Sequence, residues 1–186
     1  MKKKIGELLF QIIPVMIGVY LGFVVSNWSA NNQKRHQSNV LVNNLISEIE
    51  TNENKLNNVL DYHIMLRDSS RYYSNIENGG INSNFFKGTR VSKLMNSAFN
   101  TGLQTGVINE LPIEKIQLIN RLYTFQNDYN KFADIMMASL LNRDFSDDDK
   151  DRRVIARFLA VTMTDIVIKE KDLIEAYNMI RKKLKE

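Results

Sequence analysis

The segment from Leu8 to Val25, LLFQIIPVMIGVYLGFVV, contains no charged residue and constrains this chain more than any other feature. A helix needs about 20 mostly apolar residues to cross the hydrocarbon core of a bilayer, with a range of roughly 17 to 25. The segment therefore predicts a membrane-spanning helix over residues 8–27. A cleaved secretory signal is the alternative, but its apolar region is shorter, roughly 7 to 15 residues, and usually ends at a small-residue cleavage site that this chain lacks. We expect an uncleaved signal anchor.

Charged and aromatic residues around this segment predict its orientation. The lysines of Lys2–Lys4 precede it, and Trp28 follows it at the position of an interfacial aromatic anchor. Positive charge is retained on the cytoplasmic side, and Lys34 and Arg35 on the other flank are outweighed by the N-terminal cluster. We expect residues 1–7 to form a short cytoplasmic tail. Residues 28–186 then form a periplasmic domain on a bacterial inner membrane.

A face of small residues within the span predicts contact with a second helix. Gly18 and Gly22 form G-x-x-x-G, and Ser26 continues the same four-residue step, so these three lie on one side of a helix. Small side chains let another membrane helix approach closely. Glycine is also common in membrane helices without such a role. We expect the bilayer itself and either a homo-oligomer or another envelope membrane protein as partners.

Composition limits the remainder of the chain to one domain of restricted chemistry. The chain has 186 residues, 44% of them hydrophobic and 25% charged, enough for one anchor and one compact domain. It has no Cys, which excludes thiol nucleophiles, disulfides and cysteine metal sites. The formal net charge is +4, but the basic residues are dispersed among acidic ones except at the two ends of the chain. Nucleic acid is therefore not expected as a partner.

Residues 33–73 have the apolar spacing of a long amphipathic helix. Its seam positions are three or four residues apart: Val42, Leu45, Ile49, Asn52, Leu56, Val59, His63 and Leu66. No Pro or Gly separates this helix from the span, so the two join directly or after a brief break in SANNQ. Asn52 and His63 are polar residues on this seam. They either fix the register of a coiled coil or lie at the wet edge of a bundle, where the seam meets solvent. We favour the wet edge.

Further boundaries predict an all-α fold with an antiparallel three- or four-helix bundle and a long first helix. Loops are expected near residues 75–90 and 101–112, which are rich in Asn and Gly and of which the second ends at Pro112. A short helix is expected between them, at Val91–Asn100. Helices should then follow at Ile113–Arg143 and from a Ser146 N-cap to the C-terminus. The basic C-terminal end suits the helix dipole and could also contact anionic lipid.

The sequence contains no combination of residues typical of a catalytic, metal or cofactor site. His36 and His63 would lie about seven turns apart on one helix, too far for a shared site. Phosphate-binding loops and hydrolase or metalloprotease motifs are missing. The acidic run after Ser146 lacks the Gly and the distal Glu of a calcium loop, and the tyrosines suit the edges of a core. We expect that the protein is not an enzyme and that it binds no metal and no cofactor.

The order of these signals resembles a group of uncharacterised bacterial single-pass membrane proteins. The resemblance lies in IGVYLGFVVSNW at Ile17–Trp28 and in AFNTGLQTGVINELPIEKIQLINRLY at Ala98–Tyr123. It implies a membrane-anchored helical domain and supplies no catalytic residues. We therefore expect a helical scaffold or accessory subunit that mediates protein–protein interaction at the envelope. A ligand-sensing bundle that works through a partner membrane protein is the alternative.

Overall fold

The computed structural model describes residues 2–76, 83–146 and 148–186, with only the backbone described for residues 2–11 and 83. Part of the predicted 75–90 loop and Asp147 of the acidic run lie outside these ranges. The described residues form four α-helices and no strand. The helices are α1 (Lys2–Asn75), α2 (Ser97–Thr105), α3 (Ile113–Leu141) and α4 (Asp149–Lys185), with 3₁₀ turns at Ser83–Phe85 and Val107–Glu110. The prediction of an all-α fold is confirmed.

Helix α1 is uninterrupted from Lys2 to Asn75 and contains Pro14 within its first part. No Pro or Gly occurs between Ser26 and Asn75, so nothing in the backbone chemistry stops the helix at SANNQ. Every side chain from Ile12 to Gln37 is exposed, and burial begins at Ser38. Among the described residues, α1 is the one helix long and apolar enough to cross a membrane, by length and composition.

The core forms where α1 packs along α4 and α4 packs against α3. Polar pairs that join α1 to α4 include Glu53 with Arg181, His63 with Glu170, and Arg71 with Thr164. From the first of these pairs to the last, the residue numbers rise on α1 and fall on α4. The wholly buried apolar side chains of the two helices include Leu45, Leu56, Leu66, Met163 and Ile166.

The predicted short helix at Val91–Asn100 is wrong in its position. Residues 91–96 have no regular secondary structure, and α2 begins at Ser97 and ends at Thr105, inside the loop predicted near 101–112. Gly106 ends α2 with a left-handed φ of 72°, a conformation that glycine adopts without strain. Pro112 then stands at the N-cap of α3.

The start of α4 also differs from the sequence prediction. Asp148, not Ser146, is the N-cap, and its carboxylate accepts a hydrogen bond from the Lys150 backbone N–H. The Ser146 hydroxyl instead donates to Asp151 and accepts from the Asp148 backbone. A carboxylate at this position also suits the positive end of the helix dipole.

The basic end of α4 lies against α1, away from the apolar segment. Arg181 pairs with Glu53 at 2.9 Å, and Lys185 lies 3.8 Å from Glu50. Glu50 is about 33 Å along the α1 axis from Trp28, at about 1.5 Å per residue. The lipid contact that the sequence allowed stays a prediction.

Candidate functional site

The predicted helix-packing residues lie on one open face of α1. A Cβ added to Gly18 or Gly22 meets no atom within 4 Å. Ser26 is exposed, and Trp28 is 67% exposed two residues further along the helix. A second helix therefore has access to this face in the single chain.

The same face continues into the domain as what we call the α1 stripe. Its members are three or four residues apart, all are exposed, and none is Lys, Arg, Asp or Glu. The stripe consists of Gly18, Gly22, Ser26, Ser29, Gln33, His36, Val40, Asn44, Ser47, Thr51, Asn54 and Asn58. At about 3.6 residues per turn, these positions stay on one side of a helix. Glu50 and Lys55 lie on the two neighbouring sides of α1, and Arg35 lies on its far side.

A groove of about 470 Å³ lies between α1 and α2, beside the α1 stripe. Its walls carry no charged residue and consist of His36, Gln37, Val40, Leu41, Asn44, Thr101, Gly102, Thr105 and Val107. Gly102 sets the depth of this groove. A Cβ at Gly102 would lie 2.9 Å from both δ carbons of Leu41, so the absence of a side chain lets α2 approach α1 closely.

A second groove, of about 510 Å³, lies at the end of the domain nearest the apolar segment. Lys34 in its wall pairs with Glu110 of the second 3₁₀ turn at 3.0 Å, with both side chains partly exposed. Arg35, Ser38 and Asn39 complete the α1 side. This ion pair joins α1 to the α2–α3 connection, and its exposure limits it to a small contribution to stability.

Buried polar side chains hold an irregular segment inside the domain. We call residues 87–96 the strap. The Asn52 side chain accepts a hydrogen bond from the Met95 backbone N–H and donates to the Met95 carbonyl, both at 2.8 Å. Asn130 of α3 makes the same pair of bonds with Leu94, at 2.9 and 3.1 Å. Backbone N–H and carbonyl groups away from water need hydrogen-bond partners. The two side-chain amides supply the hydrogen bonds that a helix or strand would otherwise provide.

Glu48 of α1 supplies the N-terminal cap that α2 lacks. The Asn96 side chain at the N-cap position makes no capping bond. Instead, Glu48 accepts from the Ser97 hydroxyl at 2.7 Å and from the Ala98 backbone N–H at 2.9 Å. The Tyr123 hydroxyl donates to the other carboxylate oxygen at 2.7 Å. A negative charge at the start of α2 also suits the helix dipole.

His63 and Glu170 form the most deeply buried polar pair of the described residues, each with 0% exposure. The His63 Nδ1 atom lies 2.8 and 3.0 Å from the two carboxylate oxygens, and Nε2 lies 2.8 Å from the Thr89 carbonyl. Nε2 must donate, because a carbonyl only accepts. A hydrogen bond between Nδ1 and the carboxylate then needs a proton on one of these two groups. Tyr129 donates a further bond to Glu170 at 3.0 Å.

Three tyrosines join this network and remain protonated within it. Burial away from water raises the pKa of Tyr123, Tyr129 and Tyr177 well above the ordinary tyrosine range, with nearby Glu48 or Glu170 adding to the shift. Tyr177 donates to the side-chain amide oxygen of Gln126 at 2.6 Å. The phenols thus act as hydrogen-bond donors inside the core.

No family model, curated protein or solved structure matches this chain. The resemblance to anchored bacterial proteins therefore stays a prediction. The interpretation of the α1 stripe and of the buried polar network therefore depends on contacts within this chain.

The wet-edge interpretation of Asn52 and His63 is wrong, since both side chains have 0% exposure. The sequence placed them on the seam correctly but missed their partners. One sequence feature could have indicated that Glu170 is buried. It lies four residues after Ile166 and three before Leu173, at a seam position where an apolar residue is expected. Gln126 had no comparable signal.

The buried polar network stabilises the fold. Its donors and acceptors are satisfied by the strap and by one another, and no group of three or more His, Asp or Glu among the described residues is placed to hold a metal ion. The exposed α1 stripe and its groove are among the surfaces open to contact with other molecules.

Proposed function

We propose that this chain is a membrane-anchored helical scaffold, or accessory subunit, that mediates protein–protein contacts at the cell envelope. The observation that carries the proposal is the continuity of α1 from an exposed apolar segment into the buried core. Residues 12–37 are exposed, and Leu41 and Leu45 of the same helix are buried. A single helix that serves both as anchor and as core element fixes the position of the domain relative to the membrane.

The proposed topology has the N-terminus in the cytoplasm, residues 8–27 in a bacterial inner membrane and the domain in the periplasm. The uncharged run and the preceding lysines support it. The proposal includes an antiparallel bundle for the domain. The opposite order of the paired residues on α1 and α4 supports that arrangement.

The domain also offers an apolar helix face to an envelope partner. Val154, Val161 and Ile168 of α4 are spaced by seven residues, or about two helical turns. They are 45%, 63% and 52% exposed, respectively. Apolar side chains repeated on one side of a helix favour contact with another protein surface.

The test places a photo-crosslinking amino acid at Val161 in the full chain, in intact membranes. The control carries it at Asn178, which is exposed on another side of α4. We expect one distinct envelope protein to be captured from Val161, not from Asn178, and to be lost when Val154→Lys is added. Equal capture at both positions, or recovery of the chain in the soluble fraction, contradicts the scaffold proposal.

A further inference from the structure

We infer that α1 pairs along the α1 stripe with α1 of a second copy of this chain, from the membrane span into the domain. The pair is parallel and in register. The inference depends on the proposed membrane anchoring, because copies inserted by the same signals run in the same direction.

The charge pattern of α1 identifies the partner as a second copy. In a symmetric parallel pair each residue on the interface lies beside its own copy, so a charged residue would face the same charge at short range. The α1 stripe contains no Lys, Arg, Asp or Glu from Gly18 to Asn58, although 25% of the chain is charged. Charges occur on the adjacent sides of α1, at Glu50 and Lys55 for example. A different protein would allow charges here, matched by opposite charges of its own.

The side chains of the stripe can also bond to copies of themselves. Above the membrane most of its members are Asn, Gln, Ser or Thr, each of which both donates and accepts hydrogen bonds. Lysine can only donate and a carboxylate can only accept, so neither pairs with itself. The stripe therefore has the chemistry that an interface between identical helices needs.

The geometry of the stripe suits a long contact. Its members advance by about 3.6 residues per step on average, the period of a straight α-helix, so the stripe does not wind around α1. Gly22, Val40 and Asn58 are separated by whole numbers of turns and mark its centre line. The uncharged groove between α1 and α2 lies beside Val40. A second helix along the stripe would therefore also meet Thr101 and Thr105 of α2.

Single-cysteine crosslinking in intact membranes tests the pairing, because the chain has no Cys and each variant reports one position. The variants are Val40→Cys and Asn58→Cys on the centre line of the stripe. Their controls, Asn39→Cys and Asn57→Cys, are exposed neighbours on another side of α1. Under a mild oxidant we expect disulfide-linked dimers at least about tenfold more abundant for the stripe positions, since Cα atoms more than about 7 Å apart cannot be bridged.

A charge-pair experiment then tests register. Ser47→Glu and Ser47→Lys are each combined with Val40→Cys; either alone is expected to reduce crosslinking several-fold, because like charges would face each other. Coexpression of the two is expected to restore it. Restoration requires that position 47 faces position 47 of the other copy.

The outcomes separate this inference from the proposed function. Equal crosslinking at stripe and control positions, in chains that stay membrane-embedded, overturns the pairing and leaves the anchored scaffold intact. Crosslinking of Val40→Cys to a different protein also overturns it. Recovery of the chain in the soluble fraction contradicts the proposed function itself.

Discussion

The imidazole of His63 in α1 and the carboxylate of Glu170 in α4 are in direct contact across the core, 2.8 Å apart at their closest atoms. The two residues are 107 positions apart in the sequence, and both side chains are wholly buried. Their contact joins α1, α4 and, through the Thr89 carbonyl, the strap. Tyr129 of α3 also donates to Glu170, so the contact connects α1, α3, α4 and the strap.

Removal of one member of this pair should be strongly destabilising. We expect His63→Leu to lower the free energy of unfolding by about 3 to 5 kcal/mol, because Glu170 is left buried without its partner. The double variant with Glu170→Leu should cost less than the sum of the two single variants. Denaturant titrations followed by circular dichroism at 222 nm measure both. Asp61→Asn, on the exposed side of α1, is the control, and additive losses would contradict the coupling.

The Asn52 amide should control the local opening of the strap. Asn52→Leu leaves the Met95 N–H and carbonyl with fewer partners, at a cost of about 1 to 3 kcal/mol. Hydrogen exchange of peptides that cover residues 93–98 should accelerate more than exchange in α4. Asn57→Leu on the exposed side of the same helix should leave it unchanged. Uniform acceleration throughout the domain would show that Asn52 supports the whole fold and not the strap.

Alkaline pH should unfold the domain through its buried tyrosines. Burial raises the pKa of Tyr129 and Tyr177 in the folded state, whereas an unfolded tyrosine ionises near pH 10. Their contribution is complete below about pH 10 and is lost as the pH rises further, because only the unfolded state releases the protons readily. Phenolate absorbance at 295 nm should therefore rise together with the loss of helicity. Tyr177→Phe should weaken the pH dependence, and Tyr72→Phe, at an exposed position, serves as its control.

Cysteine accessibility should report the proposed topology. A membrane-impermeant maleimide added to spheroplasts should label Asn31→Cys and Asn178→Cys and spare Lys3→Cys. After detergent solubilisation all three should react, which controls for buried thiols. Labelling of Lys3→Cys alone in intact spheroplasts would reverse the orientation.

Much of the fold was predictable because it depends on local patterns. The uncharged run, the absence of Pro and Gly after Ser26, and the three-and-four spacing of Leu45, Ile49 and Leu56 predict a long helix from neighbouring residues alone. The same local logic found the face of Gly18, Gly22 and Ser26. It misplaced α2, because Ser97 starts a helix that is capped by Glu48, a residue remote in the sequence.

The sequence by itself determined the three long helices, the apolar segment and the charge-free side of α1, since periodicity along one helix sets which residues share a face. Only the tertiary structure decided which polar residues are buried and what they bind. Asn52, His63 and Glu170 are ordinary surface residues by composition, and their partners lie on other elements. A polar side chain enters the core only where a buried backbone or an opposite charge satisfies it, and that condition is set by packing.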